Sequence, residues 1–369
     1  MNRSFSILFG KGTVGLIAML LVGFCAFAQT PEGPQSSAPP QAEPKPQQQA
    51  PPAPQQKKPE DAGVTIAVEV PVVTLDVIAT TSNGDIIPGL KKENFRVLED
   101  GVPQSLINFA PSEAPITMVV LMEFGSKYGG WIAYEAKYWV EPLFPNLTQK
   151  DWVALVTFDM RPHMEVDFTQ NKDEVRQAVY NLHFPGFSES NVFDAILDTV
   201  ERLKDVKGKK SILVMASGVD TFSKHTLDQT IKQLRQTDVS IFAVGLGKPI
   251  MNAMEMRAGG RGGANLNLLQ AENQLKTFTA MTGGYAWFPQ FEGELPGIMH
   301  EVANFLRHQY SLTYTPSNHN PDGKYRKVKV ELVAPDGSPL VVLDQKGKKQ
   351  KYVVYAREGY QAPKGGVGD

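Results

Sequence analysis

Residues 211–245, SILVMASGVDTFSKHTLDQTIKQLRQTDVSIFAVG, decide the fold. Two apolar runs of strand length, Ile212–Ala216 and Val239–Val244, flank an amphipathic segment at Leu227–Gln236. Continuous apolar strands are buried on both faces of a sheet, and a helix between two of them is the crossover of a parallel pair. This stretch therefore predicts a strand–helix–strand unit of a mainly parallel sheet.

The same alternation extends to both sides of this unit, from about residue 116 to about residue 306. Further strand candidates are short apolar runs bounded by Gly, Asp or Ser: Met118–Met122, Trp152–Phe158 and Tyr285–Phe288. Further helix candidates lie between these runs, and Val192–Val206 carries its apolar residues at near-helical spacing: Trp131–Leu143, Asp173–Leu182, Val192–Val206, Leu266–Thr282 and Pro296–Arg307. Such helices cover a parallel sheet on both faces. We therefore predict a doubly wound, Rossmann-like α/β domain over residues 113–307.

Segments with β patterns flank this domain. Before it come Val64–Val70 and Val72–Thr80, followed by shorter runs up to Phe109. After it come four further runs: Tyr310–Thr315, Tyr325–Val333, Leu340–Leu343 and Tyr352–Ala356. Neither flank alone has enough strands for a sandwich, but together they supply two sheets. We predict that residues 63–112 and 308–360 form one split β-sandwich-like domain into which the α/β domain is inserted; two separate small β caps are the alternative.

Several motifs carry a resemblance to a known family. They are MVVLMEFGSK (118–127), ESNVFDAILDTV (189–200), SILVMASGVDTFS (211–223) and IFAVGLG (241–247). Together they resemble the core of a von Willebrand factor type A domain. The flanking stretches at 73–109, 309–330 and 356–360 resemble the VWFA-related family known from acidobacteria. The resemblance covers about residues 65–360 and implies a binding module of the von Willebrand A fold.

The resemblance also identifies an ion site that this chain has altered. Many von Willebrand A domains hold Mg²⁺ through an Asp-x-Ser-x-Ser loop, a Thr and a later Asp. Glu123 stands at the position of the first Asp, and Gly125 and Lys127 stand at the positions of the two serines. Ser190 replaces the Thr, and Ser217 replaces the later Asp. A hard cation needs several oxygen ligands, so the resemblance implies a degenerate, metal-free site with no cofactor.

Three interpretations of this altered site remain open. The Lys127 ammonium could occupy the cation position, paired with Glu123 and hydrogen-bonded by Ser190 or Ser217. Alternatively, Lys127 simply points into water. A third interpretation is a rebuilt Mg²⁺ site, for which Glu123, Ser126, Ser190 and Asp220 supply the oxygens.

In an open α/β sheet, ligands bind beyond the carboxyl ends of the strands; we call this surface the strand-end face. The segment Lys248–Asn265, predicted as a long loop, lies on it and is either a disordered insertion or an adaptable contact surface rich in methionine. We predict a protein partner for this face, contacted by ten residues: Glu123, Gly125, Ser126, Lys127, Ser190, Ser217, Asp220, Met254, Arg257 and Arg261.

The N-terminal segment of the chain predicts export. Arg3 and Lys11 precede an apolar run, and Ala28 closes a small-x-small cleavage pattern, so residues 1–28 are typical of a signal peptide. Retention of this segment as an anchor is the alternative. Residues 29–62 are rich in Pro and Gln and predict a disordered linker, and residues 361–369 predict a disordered tail. The expected location is the periplasm or the cell exterior.

Composition narrows the function further. The 369 residues include 37 Lys+Arg and 39 Asp+Glu, and the net charge of −2 gives no reason to expect nucleic acid or an anionic membrane as partner. A single cysteine, Cys25, excludes a disulfide framework. No nucleophile motif is present. We therefore expect a non-enzymatic protein-binding module, with a Mg²⁺-dependent adhesion protein as the alternative and an enzyme of unrecognised type as the third class.

Overall fold

The computed structural model describes residues 72–110, 115–125, 132, 135–182, 189–258, 266–344 and 346–364, with the side chains of 256–258 left out. The chain divides into two compact units, residues 1–66 and 67–369, and every described residue belongs to the second. The predicted signal segment, the linker and the strand at 64–70 lie outside the described residues. Ser126, Lys127 and Arg261 of the predicted face also lie outside them.

Four short strands begin the described chain: β1 (Val73–Thr81), β2 (Phe95–Glu99), β3 (Val102–Gln104) and β4 (Leu106–Ala110). Strands β2 and β3 form a hairpin in which Glu99 pairs with Val102. The two residues between them, Asp100 and Gly101, have φ angles of 48° and 85°. Such a turn matches the right-handed twist of the strands, and Asp-Gly adopts it readily.

The central part of the chain alternates strands and helices. Its strands are β5 (Ile116–Glu123), β6 (Trp152–Phe158), β7 (Pro162–Thr169), β8 (Lys209–Ala216), β9 (Ser240–Gly245) and β10 (Ala286–Trp287). Its helices are α1 (Lys172–Tyr180), α2 (Val192–Arg202), α3 (Leu227–Leu234), α4 (Gly247–Ala258), α5 (Leu266–Thr282) and α6 (Leu295–Arg307). Residues 135–140 are also helical and lead into a 3-10 turn at Glu141–Asn146.

The six strands form one sheet in the order β10-β9-β8-β5-β6-β7, and all of its pairs are parallel except β6 with β7. The central strand β5 divides its side chains between two cores. Met118, Val120 and Met122 pack into the core that includes α6, whereas Val119 and Leu121 pack into the core that includes α2 and α5. Because side chains alternate along a strand, both faces of the sheet are covered.

Two elements of this domain differ from the sequence prediction. The segment Lys248–Asn265, predicted as a loop, begins as helix α4. Its Ala, Met and Glu residues favour helix, but Ile250 is buried while residues 251–255 are not, so the apolar stripe that signals a helix is missing. Strand β7 was not predicted, because half of its residues are exposed, only one is buried, and it carries Glu165 and Asp167.

The chain after α6 returns to strands: β11 (Tyr310–Tyr314), β12 (Tyr325–Leu332), β13 (Val342–Leu343), β14 (Lys349–Gln350), β15 (Tyr352–Tyr355) and β16 (Gly359–Gln361). These strands pair with those of the N-terminal flank in two four-stranded sheets, ordered β15-β1-β11-β4 and β16-β12-β2-β3. One core lies between the sheets and includes Leu75, Val97, Leu312 and Leu332. The predicted fold class, a doubly wound α/β domain inserted into a split β sandwich, is confirmed.

A buried carboxylate joins the places where the chain enters and leaves the α/β domain. Asp151, which is fully buried, accepts hydrogen bonds from the backbone N–H groups of Ile116 at 2.9 Å and Thr148 at 2.6 Å. It also forms an ion pair with Arg307 at the end of α6. Burial alone would raise the pKa of Asp151, but these three partners together lower it. The carboxylate thus connects the start of β5 to the end of α6.

No helix among the described residues is both long enough and apolar enough to cross a membrane.

Gly284 provides a test of the packing between α5 and β9. A Cβ atom at this position would lie 1.9 Å from the carbonyl oxygen of Ile241, so the strand itself would have to move. We expect Gly284→Ala to lower the free energy of unfolding by at least about 2 kcal/mol, measured by urea denaturation. Gly297→Ala is the control, because the exposed Gly297 in α6 has open space around it, and alanine there should add about 0.5–1 kcal/mol. Equal effects of the two substitutions would contradict the described packing.

Candidate functional site

The parallel pairing of β5 with β8 brings together two residues of the predicted site. Glu123 is the last residue of β5, and Ser217 directly follows β8. The Glu123 carboxylate is buried and accepts two hydrogen bonds from Ser217: Oε2 accepts from the backbone N–H, and Oε1 accepts from the hydroxyl at 3.1 Å. The Ser217 Oγ in turn accepts the N–H of Val219 at 3.2 Å. The Glu123 carboxylate is therefore hydrogen-bonded to the loop that follows β8.

The third member of this cluster is Ser190, on the loop that precedes α2. Its backbone is fixed by the loop after β8: the Ser190 N–H donates to Thr221 Oγ1 at 3.1 Å, and Thr221 N–H donates to the Ser190 carbonyl at 2.8 Å. The Ser190 hydroxyl faces Glu123 closely enough to lower its pKa. Its Oγ is nevertheless buried without a hydrogen bond of normal geometry to any described residue. Glu123, Ser190 and Ser217 thus form the buried centre of the strand-end face.

Burial determines the electrostatics of this centre. Removal from water raises the pKa of Glu123, and the hydrogen bonds from Ser217, with the nearby Ser190 hydroxyl, offset that effect only in part. The carboxyl is therefore easier to protonate than an exposed glutamate. Gly125 is also buried, two residues farther along the chain.

Asp220, the other predicted carboxylate, has a local role. Its Oδ1 accepts the Ser223 hydroxyl at 2.6 Å and the Phe193 N–H at 3.1 Å, and its Oδ2 accepts the Ser223 N–H at 3.3 Å. Phe193 lies in the first turn of α2, where backbone N–H groups need acceptors. Asp220 therefore caps a helix and fixes a turn.

The described residues do not fit a divalent cation. A hard cation needs several free oxygen ligands, but both oxygens of Glu123 are hydrogen-bonded to Ser217, and those of Asp220 accept hydrogen bonds from Phe193 and Ser223. No group of three acidic, His or Cys side chains suited to a metal occurs within the described ranges. Ser126 and Lys127, which complete two of the interpretations above, lie outside those ranges.

The remaining predicted residues lie on or near α4. Met254 is exposed on this helix, which contacts the loop after β10 through a hydrogen bond from Asn252 Nδ2 to the Gln290 carbonyl at 2.7 Å. Arg257 belongs to the same helix, but its side chain is not among those described, and Arg261 lies outside the described residues. Met254 is thus exposed on a helix that directly follows the carboxyl end of β9.

The strand-end face also carries exposed apolar side chains that the sequence analysis missed. Phe222, 64% exposed, follows β8, and Leu266, 67% exposed, begins α5. Besides the predicted Met254, three more large apolar residues are exposed on the same face: Met160, Leu269 and Phe291. A large apolar residue in a polar turn just after a buried strand, as in Asp-Thr-Phe-Ser at 220–223, is the signal that could have found them.

A cleft of about 790 Å³ continues from this face along α2 and α3. Met160 and Phe222 line the end of the cleft at the strand-end face, and Asp194 and His225 line its wall. His225 Nδ1 lies 2.7 Å from Asp194 Oδ1, and the backbone N–H groups of Lys224 and His225 also donate to Asp194. Burial acts to raise the pKa of Asp194, but these contacts lower it overall. The imidazole of His225 is thus oriented by the Asp194 carboxylate.

The raised pKa of Glu123 predicts a pH-dependent stability. Because the folded-state pKa lies above the ordinary value of 4.5, the carboxyl stabilises the fold fully below that value, and this contribution is lost as pH rises through the raised pKa. Glutamine cannot ionise, so Glu123→Gln should gain stability relative to the natural chain between mildly acidic and mildly alkaline pH. Thermal unfolding across that range measures the difference.

The exposed Glu93→Gln substitution is the control for this experiment, and its difference from the natural chain should stay nearly constant. A Glu123→Gln chain whose deficit grows towards alkaline pH would show that Glu123 is held as an anion, as the Lys127 pairing requires.

Comparison with known proteins identifies the α/β domain. Residues 128–280 match the model of the von Willebrand factor type A domain. No curated protein sequence matches the chain. Similar solved structures include an aerotolerance-related membrane protein of Bacteroides fragilis carrying multiple mutations to serine (12% identity, 51% of this chain, 98% of that chain, TM-score 0.39). They also include BatB of Bacteroides thetaiotaomicron (13%, 52%, 98%, 0.38) and proximal thread matrix protein 1 of the mussel byssus (13%, 56%, 49%, 0.41). The match over residues 128–280 shows that the chain contains a von Willebrand factor type A domain.

Proposed function

We propose that this protein is an exported, non-enzymatic module that binds a protein partner through the strand-end face of its von Willebrand factor A domain. The observation that carries the proposal is the concentration of exposed apolar side chains on that face, among them Phe222, Met254 and Phe291. Contiguous exposed apolar surface marks interaction sites in soluble domains. Flexible methionine side chains adapt to a partner surface without a fixed shape.

The ion site within this face is proposed to be metal-free. Support comes from Glu123, whose two carboxylate oxygens are both hydrogen-bonded to Ser217, at the position where the family usually has an Asp. A buried carboxylate without a cation beside it is favoured in its neutral form. Binding of the partner would then rest on apolar contact and hydrogen bonds around the cluster and not on a bridging cation.

One observation favours the second candidate, a Mg²⁺-dependent adhesion protein. The Ser190 hydroxyl is buried without a hydrogen bond of normal geometry within the described residues. Its oxygen would therefore be available to bind a cation. In that candidate, Glu123, Ser126, Ser190 and Asp220 would rebuild the site, and Asp220 would have to leave its contacts with Phe193 and Ser223.

The enzyme class receives less support. His225 and Asp194 form the orienting half of an acid–base arrangement. The hydroxyl of the same loop, on Ser223, donates to Asp220 at 2.6 Å and so serves the turn. The described residues of the cleft thus supply an oriented imidazole without an activated nucleophile.

Calorimetric titration with Mg²⁺ separates the first two candidates. After dialysis against a chelator, we expect no heat of binding and no increase in melting temperature, because the described oxygens are already hydrogen-bonded. The rebuilt site predicts measurable heat that disappears in Ser190→Ala. Heat abolished by Ser190→Ala would overturn the metal-free proposal.

Capture of partners tests the strand-end face itself. Proteins retained by the immobilised natural chain should be lost from Lys127→Glu and from Met254→Asp, because both substitutions place a negative charge on the proposed face. Lys207→Glu, at an exposed lysine outside this face, makes the same change in charge as Lys127→Glu and should retain them. Unchanged capture by both face variants would remove this face from consideration.

A further inference from the structure

A two-stranded hairpin of the β-sandwich domain carries a second distinctive surface. Strands β13 and β14 pair with Val342 opposite Gln350 and Leu343 opposite Lys349. The turn between them is fixed by Asp344, whose Oδ1 accepts the backbone N–H groups of Lys346 at 2.8 Å and Lys348 at 2.9 Å. The hairpin is therefore held in one register by its strand pairing and by the Asp344 side chain.

One face of this hairpin combines exposed apolar side chains with lysine side chains. Directly paired residues share a face, so Leu343 and Lys349 lie side by side. Alternation along each strand adds Val341 and Lys351 to the same face. Leu343 is 56% exposed and Val341 is 53% exposed, and both lysines are exposed. We call these four residues the hairpin face.

The opposite side of the hairpin fixes this orientation. Val342 packs against the core of the β sandwich, and Gln350 is largely covered. Turning the hairpin over would remove Val342 from that core and bury lysine in its place. The hairpin face is therefore directed outward by the packing of its reverse side.

The hairpin carries an excess of positive charge, because its four lysines outnumber its one carboxylate, Asp344. Four lysines occur between residues 346 and 351, at 346, 348, 349 and 351. The ion pairs that described lysines make involve other positions: Lys204, Lys210, Lys248, Lys324 and Lys329. The carboxylate of Asp344 accepts backbone N–H groups of the turn.

We propose that the hairpin face is a peripheral docking site for the surface of an anionic phospholipid bilayer. Lysine side chains near such a surface are attracted by its negative potential, and adjacent apolar side chains enter the boundary between headgroups and acyl chains. A soluble polyanion would use the lysines alone. The exposed Val341 and Leu343 beside them are what favours a bilayer as the partner.

The net charge of −2 does not oppose this contact, although it gave no reason to expect it. Charges in physiological salt interact over about 8 Å. A bilayer that approaches the hairpin therefore responds to the four lysines and not to the sum over the chain. The proposed contact also leaves the strand-end face free, so the two proposals stand or fall separately.

A fluorophore on the hairpin face tests the proposal in the full chain. In a Cys25→Ser background, Leu343→Cys is labelled with nitrobenzoxadiazole, which brightens and shifts to the blue in an apolar environment. We expect this response with vesicles of phosphatidylglycerol and phosphatidylcholine, and none with phosphatidylcholine alone. Each lysine contributes a factor of about 5 to the affinity. Adding Lys349→Glu and Lys351→Glu should therefore weaken binding by at least about 25-fold. Because the label reports on the hairpin alone, insertion of another segment into the vesicle does not produce the response.

Lys207→Glu with Lys232→Glu is the matched control, since both lysines are exposed on the α/β domain and the change in net charge is the same. This pair should bind like the parent chain, and thermal unfolding verifies that both pairs fold. An equal response to phosphatidylcholine vesicles, or an equal loss in the control pair, would overturn the proposal. So would binding to heparin without any response to anionic vesicles.

Discussion

The pairing of β1 with β11 is the constraint on which the rest of the structure depends. The ladder runs from Val73 opposite Tyr314 to Val77 opposite Tyr310, and it joins the two ends of the chain that flank the α/β domain. The Tyr310 hydroxyl strengthens it by donating to the Ile87 carbonyl at 3.1 Å and accepting the Leu90 N–H at 3.2 Å. The entropic cost of closing a loop grows only slowly with its length. A large folded insertion between β1 and β11 is therefore compatible with their pairing. The sandwich in turn fixes the two points at which the chain enters and leaves the α/β domain.

The position of the candidate site follows from the way in which the sandwich holds the central sheet of the α/β domain. With its entry and exit joined at Asp151, the α/β domain directs the carboxyl ends of β5 and β8 towards one face. There the Glu123 carboxylate is hydrogen-bonded to Ser217, so this contact follows from the pairing of adjacent parallel strands, whereas Ser190 reaches the cluster from the loop that precedes α2. The hairpin formed by β13 and β14 belongs to the other domain, which separates the two proposed contacts in the fold.

The sequence predicts the α/β domain well because buried parallel strands need unbroken apolar runs. The segment Ile212–Ala216 lies entirely within β8, and helix α5 has the predicted bounds Leu266–Thr282. The sandwich was predictable only as a class, because the sequence of a short antiparallel strand does not show which strands pair with it. Nothing in the sequence of β1, for example, indicates that it lies between β11 and β15. Helix α4 was mistaken for a loop because it lacks an apolar stripe and is followed by glycines.

The site was predictable in part. Glu123, Ser190 and Ser217 are brought together because each follows or precedes a regular element at the same edge. The capping role of Asp220 depends on where α2 begins in space, which spacing along the chain does not reveal. The positive face of the hairpin was also hidden, because a total charge averages over domains.

The position of β1 has a mechanical consequence. A pull on the chain at Val72 enters the protein through β1, which is held on one side by β11 and on the other by β15. Force along this strand shears both ladders together, so their hydrogen bonds share the load and do not open one at a time. A domain whose partner is bound at the far edge of the α/β sheet would therefore transmit the pull through a strand that is paired on both sides.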